Sequence, residues 1–214
     1  METVAVIDFE TTGISPDAGA RATEIAAVRI EGGRITDRYQ SLMHTGAWVP
    51  PFIEQLTGIS NQMVRAAPPA AKVMREVADF VGAHPLVAHN ASFDRRFWDA
   101  ELARLRKRRV QEFACTMLLA RRIYPQAPNH KLGTLVEFAR LPVAGRHHRA
   151  LADAEMAASL LAKLEEELTQ RYRLTAVTHA LLREIQGASR DQLGGCVARF
   201  PGRASAARAP CART

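Results

Sequence analysis

The sequence is poor in cysteine and has no long apolar run. Its cysteines, Cys115, Cys196 and Cys211, are odd in number and lack the paired spacing of metal ligands, which argues against a disulfide framework and a zinc site. No apolar run approaches the roughly 18 to 20 residues of a membrane span, and residues 4–7 enter a strand-like stretch with no basic signal segment before them. We therefore expect a cytoplasmic protein with reduced thiols and no membrane association.

Basic residues outnumber acidic ones. Among 214 residues, 29 lysines and arginines stand against 22 aspartates and glutamates, so the net charge is +7 and the pI is about 9.9. Such an excess favours a polyanionic partner, with nucleic acid ahead of a membrane surface. With 47% hydrophobic residues, the chain is long enough to bury one substantial core.

Apolar patterning alternates between strand-like and helix-like segments. Residues 3–9 form a nearly unbroken apolar run, which is typical of a strand buried on both faces. Two β-rich segments follow at residues 24–31 and 34–44, and the glycine pair between them predicts a hairpin turn. Strand-then-helix units at residues 85–106 and 112–124 complete a pattern that predicts an α/β fold, a mixed β-sheet flanked by α-helices.

The C-terminal third changes character. An apolar stripe predicts one long helix through residues 156–168, and a second helix is predicted at residues 174–185. Beyond these helices, five arginines stand against one aspartate and small residues replace large apolar ones, which is typical of a disordered segment. We expect a domain at residues 1–170, a helical extension at 171–186 and an Arg-rich, disordered tail at 187–214.

Asp8 and Glu10 form the first of three acidic motifs. Side chains two apart in a strand point to the same face, so these carboxylates lie side by side at the end of the buried strand. Like charges so close raise each other's pKa unless a cation is bound. The alternative is that Asp8 only caps the turn at residues 11–13.

Asp94 belongs to the second motif, which begins with His89 and Asn90 at the end of a short strand. It stands in the first turn of an amphipathic helix. Here too a structural alternative exists, because Asn90 or Ser92 could cap this helix and Asp94 would then be a favourable first-turn anion.

His148 and Asp153 form the third motif, at the start of the long C-terminal helix. The pattern His-x-Ala-x-x-Asp places Ala150 and Asp153 in step when His148 is its first member, so the neighbouring His147 is interpreted as a bystander. The alternative is that Asp153 simply pairs with Arg149 one helical turn away.

Together the three motifs supply four carboxylates and one histidine. Carboxylate ligands suit Mg²⁺ or Mn²⁺, and two such ions about 3.5–4 Å apart can hold both the attacking and the leaving oxygen of a displacement at phosphorus. A neutral histidine beside them can accept the proton of the attacking water. The set therefore predicts a two-metal phosphodiester hydrolase.

These motifs resemble those of the DEDD-type 3′-to-5′ exonucleases of the histidine subclass, a family that includes the epsilon subunit of bacterial DNA polymerase III and ribonuclease T. Residues 1–170 carry the resemblance, which extends to minor motifs at residues 56–59 and 130–135. It implies a ribonuclease-H-like fold, two Mg²⁺ or Mn²⁺ ions, and His148 as general base. The metal ligands that it implies are Asp8, Glu10, Asp94 and Asp153, and the residues implied to contact the terminal nucleotide are Thr11, Leu56 and Phe93.

The resemblance also implies a substrate and partners. It implies the release of nucleoside 5′-monophosphates from single-stranded 3′ ends of DNA or RNA, in proofreading or repair, with a DNA polymerase subunit as a candidate partner. Two other functions stay open: a polymerase-associated subunit that only binds nucleic acid, and an exoribonuclease that trims RNA. One departure from the family pattern is Cys115-Thr116, where many relatives have Asp-Thr.

Overall fold

The fold is built around a mixed β-sheet. The computed structural model describes residues 2–142 and 148–200, and within these ranges five strands form one sheet: β1 Val4–Thr11, β2 Ala22–Glu31, β3 Arg34–Leu42, β4 Leu86–Ala88 and β5 Phe113–Cys115. Their order across the sheet is β3-β2-β1-β4-β5. The central strand β1 pairs antiparallel with β2 and parallel with β4, and its unbroken apolar sequence reflects the burial of both of its faces.

Helices cover both faces of this sheet, as the α/β prediction requires. Those in the described residues are α1 Pro51–Thr57, α2 Asn61–Ala66, α3 Ala70–Val81, α4 Ala91–Arg104, α5 Thr116–Ile123, α6 Leu132–Phe138, α7 Ala150–Tyr172, α8 His179–Gly187 and α9 Leu193–Arg199. Helices α3 and α4 pack on one face, whereas α5, α7 and α8 pack on the other. The predicted mixed sheet flanked by helices is therefore confirmed.

Side chains of β1 alternate between two apolar cores. Val4 and Val6 pack into the core that α7 covers, whereas Ile7 packs into the core that α3 and α4 cover. By this alternation, positions 8 and 10 belong to the α7 face at the carboxyl end of the strand. The apolar series on that face ends in Asp8 and Glu10.

Helix α7 lies close against the sheet because its buried face carries small residues. Ala150, Ala154 and Ala157 are almost completely buried in the core that it shares with β1 and β2. Alanine is also the strongest helix former, so this face favours both a close approach and a long helix. The first turn of α7, which contains Asp153, is thereby brought to the end of β1.

Helix α8 protects the edge of the sheet at β5. The Gln186 side chain accepts a hydrogen bond from the Cys115 N–H at 2.7 Å and donates one to the Phe113 carbonyl at 3.3 Å, in the manner of a further strand. On the same helix, His179 is buried and its Nε2 lies 2.9 Å from the Leu86 carbonyl oxygen. Helix α8 is therefore part of the packed core.

The start of α8 differs from the predicted helix at residues 174–185. The Thr178 hydroxyl accepts a hydrogen bond from the Leu181 N–H and caps the helix there, so the helix begins at His179. Residues before the cap are held by packing, with Val177 buried in the α7 core. Apolar spacing alone did not show where the cap lies.

The tail is ordered further than its composition predicts. Contrary to the expected disorder from residue 187, α9 forms, and Leu193 and Val197 on one face of it are buried in the α7 core. These two apolar residues, at helical spacing, attach α9 to the core. The basic composition of the tail did not indicate this contact. Residues 201–214 lie outside the described residues, and the division of the chain at residue 170 stays a prediction.

Cys115 and Cys196 are both buried free thiols, and Cys211 lies outside the described residues. Among the helices that the structure describes, none is both long enough and apolar enough to cross a membrane. The cytoplasmic location stays a prediction.

Leu182→Ala is expected to destabilise the whole fold, because Leu182 is fully buried between α8 and the α7 core. We expect the free energy of unfolding, measured by urea denaturation, to fall by about 2–5 kcal/mol. Glu184→Ala, on the exposed face of the same helix, should change it by less than about 0.5 kcal/mol. An unchanged unfolding midpoint for Leu182→Ala would show that α8 is a dispensable appendage.

Candidate active site

A cleft of about 660 Å³ opens where the carboxyl end of β1 meets α1, α4 and the start of α7. Most of the site residues expected from the sequence line it: Asp8, Glu10, Thr11, Leu56, Phe93, His148 and Asp153. Asp94 is almost completely buried beside β1. Folding therefore gathers the residues of all three acidic motifs at one place.

Asp94 is tied to the strand that carries the first two carboxylates. Its Oδ1 accepts a hydrogen bond at 3.1 Å from the N–H of Phe9, the residue between Asp8 and Glu10. Asn90, at the start of α4, has a left-handed backbone with φ of 62° that turns the chain from β4 into the helix. Asp94 does stand in the first helical turn, but its hydrogen bond to Phe9 reaches across to the sheet.

His148 and Asp153 approach the same strand from the start of α7. Asp153 Oδ2 accepts a hydrogen bond from the His148 backbone N–H at 3.2 Å, and a left-handed φ of 61° at His148 shapes the turn before the helix. One potential ligand atom from each of Glu10, His148 and Asp153 lies within 4.8 Å of the other two. Atoms so spaced can surround one cation, since metal–oxygen distances are about 2.0–2.6 Å.

The carboxylates crowd one another in a buried environment. Burial, together with the charges of Asp153, Glu24 and Asp94, raises the pKa of Glu10 to about 8, although Arg149 acts to lower it. A carboxyl group in this position holds a proton near neutral pH unless a cation favours its ionised form.

Asp8 and Asp94 show the same effect. The pKa of Asp8 is raised well above its usual value, first by burial and then by the charges of Asp94 and Glu10. Burial also raises the pKa of Asp94, against the lowering effect of the hydrogen bond from Phe9. Anionic oxygen ligands that repel one another fit the binding of divalent cations, which would relieve the repulsion.

Glu24 is a further carboxylate of this site that the three motifs do not contain. It lies opposite Glu10 in the β1–β2 register and is fully buried. Its oxygens accept hydrogen bonds from the Arg149 guanidinium at 2.8 and 3.1 Å, from the Ala150 N–H at 3.1 Å and from Gln40 at 2.7 Å. The sequence could have indicated Glu24, because this glutamate stands at one of the alternating positions of β2 that otherwise carry core residues.

The structure also bears on the structural alternatives for the first and third acidic motifs. The turn after β1 is held by its threonines, because the Thr11 hydroxyl donates to the Gly13 carbonyl at 2.6 Å and Thr12 Oγ1 accepts from the Arg21 N–H at 3.0 Å. Asp8 faces the cleft instead. The Arg149 guanidinium is bound to Glu24, as described above. Arg149 therefore has a structural role other than pairing with Asp153 along the helix.

The remaining lining of the cleft is largely apolar. Leu56 is 47% exposed, and the neighbouring Phe52 and Ile14 are 65% and 81% exposed. Phe93 is braced from behind by Phe97, with ring centroids 4.9 Å apart. Large apolar side chains held open to solvent in a cleft are suited to cover a flat apolar ligand such as a nucleobase.

His89 lines the cleft but serves as a neutral structural residue. Its Nδ1 lies 2.9 Å from Thr116 Oγ1 and its Nε2 lies 3.0 Å from the His130 carbonyl oxygen. Burial lowers its pKa to about 4, so it does not carry a charge near neutral pH. These bonds connect the second acidic motif to the minor motif at residues 130–135.

The exonuclease family model, of RNase T type, matches residues 5–161. DNA polymerase III subunit epsilon of Aquifex aeolicus is 34% identical over 171 residues, which cover 79% of this chain and 84% of that protein. The 3′-5′ exonuclease DinG of Bacillus subtilis is 41% identical over 172 residues, which cover 77% of this chain and 18% of DinG. The chain also spans 12% of the length of the PolC-type DNA polymerase III proteins that it matches.

Solved structures agree with these sequence relationships. Exonuclease X in complex with 5′ overhanging duplex DNA has a TM-score of 0.64 and 26% identity, and the match covers 90% of this chain and 98% of that chain. The mixed sheet with helices on both faces is thus the ribonuclease-H-like fold that the resemblance implied. The chain belongs to the exonuclease family.

Glu10 is expected to make the metal-free protein less stable as the pH rises. The pKa of Glu10 is about 8 in the folded protein, whereas an ordinary glutamate has a pKa of 4.5. Between these values the folded state binds more protons than the unfolded state, so the free energy of unfolding falls as the pH rises from 4.5 to about 8. In chelator, the free energy of unfolding should fall between about pH 5.5 and about pH 8 by about 3 kcal/mol more in the wild type than in Glu10→Gln. Mn²⁺ should reduce this difference, and identical pH dependence of the two proteins in chelator would contradict the expectation.

Proposed function

We propose that this protein is a metal-dependent 3′-to-5′ exonuclease that hydrolyses the terminal phosphodiester of single-stranded nucleic acid and releases nucleoside 5′-monophosphates. One observation carries the proposal: the acidic residues converge with a histidine in a cleft whose remaining lining is apolar, namely Asp8, Glu10, Asp94, Asp153 and His148. Carboxylates that hold cations suit a phosphodiester, and an apolar wall beside them suits the attached base.

The carboxylates would hold the cations. Asp8, Glu10, Asp94 and Asp153 would bind two Mg²⁺ or Mn²⁺ ions, whose chemistry is to polarise the attacking water and to offset charge on the leaving 3′-oxygen. His148, on the exposed turn before α7, would accept the proton of that water on a ring nitrogen. Its backbone N–H already holds Asp153, so one short segment positions both the base and a ligand.

The pair of Glu24 and Arg149 would act as a positioning device. Arg149 follows His148 directly, and its bidentate bond to the buried Glu24 fixes this segment to β2. The Ala150 N–H bonds to the same carboxylate, so the first residue of α7 is held as well. We infer that this anchor sets the position of His148 relative to Glu10 on the neighbouring strand.

The apolar wall would receive the 3′-terminal nucleotide. Leu56 and Phe93 would pack against its base and Thr11 would contact its sugar or phosphate, because all three line the cleft that holds the carboxylates. Stacking on such side chains tolerates any base, which suits an enzyme that removes nucleotides one after another.

The relatives support a role in DNA proofreading or repair, with a DNA polymerase subunit as a partner. The similarity to a DNA polymerase III epsilon subunit spans 84% of that protein. RNA trimming is the alternative, and repeating the following experiment with RNA oligomers would reveal it, since DNA and RNA differ at the 2′-hydroxyl.

Single-stranded oligomers labelled at either end test the proposal. With Mg²⁺ or Mn²⁺, the purified protein should release labelled mononucleotide at once from 3′-labelled DNA and should shorten 5′-labelled DNA step by step, whereas chelator should abolish both. Asp8→Asn should reduce the rate by more than the roughly 10- to 100-fold that loss of an outer-shell partner costs. Asp17→Asn, an exposed carboxylate outside the cleft, is the matched control. Release from the 5′ end, or full activity in Asp8→Asn, would refute the proposal.

Arg149→Lys is expected to lower kcat by about 10- to 100-fold, because a single ammonium cannot reproduce the bidentate bond to Glu24 and the catalytic segment shifts. The KM should change little, since Arg149 is not among the residues that line the cleft. Steady-state kinetics on an oligomer, with circular dichroism as a check of folding, measure both effects. Arg171→Lys at the other end of α7 serves as control, and equal kcat values for the two variants would exclude a positioning role.

A further inference from the structure

A second cleft adjoins the active site at the turn between β4 and α4. Its volume is about 370 Å³, and residues of α4, β5, α5 and α8 line it. Asn90 lines both this cleft and the catalytic one, so the two meet at the turn that presents Asp94. We refer to the second one as the side cleft.

The side cleft has an apolar floor. Phe113 and Cys115 of β5 are buried beneath it, and Met117 and Leu118 of α5 are half-buried at its wall. Its volume falls within the roughly 300–1,000 Å³ of small-ligand sites. A pocket of this size and lining is suited to one base or sugar.

Two arginines stand at the side cleft. Arg95 directly follows Asp94 on α4, Arg121 lies on α5, and both are exposed. Among the described residues that line the side cleft none is acidic, and no ion pair found in residues 2–142 and 148–200 involves either arginine. Guanidinium groups are the preferred partners of phosphate, so the charge of the side cleft complements a nucleic-acid backbone.

The segment from residue 45 to residue 56, which reaches the catalytic cleft at Phe52, lacks such charges. It carries the exposed Trp48 and Phe52, and it contains Glu54 but no lysine or arginine. A strand that followed this segment would find stacking surfaces but no cations from it for its phosphates.

We propose that the side cleft binds the nucleotide that precedes the scissile bond, with its base or sugar on the apolar floor and its phosphates on Arg95 and Arg121. This inference rests on the proposed function, because the occupant is the same strand whose end lies in the catalytic cleft. Asn90 supplies the continuity between the two clefts. Arg95 and Arg121 are therefore residues that position the upstream strand and do not take part in the hydrolysis.

Substrate length provides the test. The p-nitrophenyl ester of thymidine 5′-monophosphate presents one nucleotide with p-nitrophenol in place of the upstream strand, whereas a thymidylate decamer presents that strand in full. For Arg95→Gln/Arg121→Gln, we expect kcat/KM on the ester to stay within about two-fold of wild type, while KM on the decamer rises about ten-fold at nearly unchanged kcat.

Salt dependence supplies a second readout. Each lost phosphate contact on a single strand lowers the slope of log KM against log salt concentration by about 0.7, so the double variant should show a slope smaller by about 1.4. The control variant Arg34→Gln/Arg75→Gln removes two exposed charges from positions outside both clefts and should keep the wild-type slope.

Three results would overturn the proposal. If the double variant changed KM on the decamer as little as the control variant does, the strand would lie elsewhere. The same would follow if Trp48→Ala, and not the double variant, raised KM on the decamer while leaving the ester unaffected. Equal losses on the ester and the decamer would show a disturbed catalytic centre in place of a lost strand contact. If the wild-type protein hydrolysed neither substrate, the proposed function would fail first and this inference with it.

Discussion

The crowding of carboxylates around the buried carboxyl end of β1 is the constraint on which the rest of the structure depends. Each of these carboxylates needs a group that offsets its charge, and most of these groups come from elements that lie far away in the sequence. Asp94 takes the N–H of Phe9, and Glu24 takes the guanidinium of Arg149. Burial and the neighbouring charges still raise the pKa of Asp8 and of Glu10, so this compensation is incomplete, and divalent cations are groups suited to complete it.

The same constraint explains why the site is built on rigid elements. Like charges stay close only where the surrounding structure holds them there, and here a central strand, its neighbour β2 and the long helix α7 do so. The buried alanines of α7 bring the helix close to the strands, and the Glu24–Arg149 pair fixes its first turn. The apolar wall at Phe52 and Leu56, by contrast, is open to solvent, as the proposed binding of a strand end requires.

The C-terminal helices connect the fold to this surface. Gln186 of α8 seals the edge strand β5 and also lines the side cleft, so the helix that completes the sheet forms part of the surface beside the active site. The family model ends at residue 161, within α7. The residues that follow it therefore contribute to the surface beside the candidate active site.

The sequence by itself determined the α/β architecture and the central strand, because strand alternation and helical spacing are local properties that neighbouring side chains reveal. The residues that meet in the cleft were implied by the resemblance of the three acidic motifs to a known family. Only the tertiary structure decided that Glu24 joins the site through Arg149, that α8 begins at the Thr178 cap, and that α9 packs on the core in spite of its basic surroundings. These features depend on strand register and on contacts between distant segments. No spacing within a segment encodes which remote partner will neutralise a buried charge or cover an apolar face.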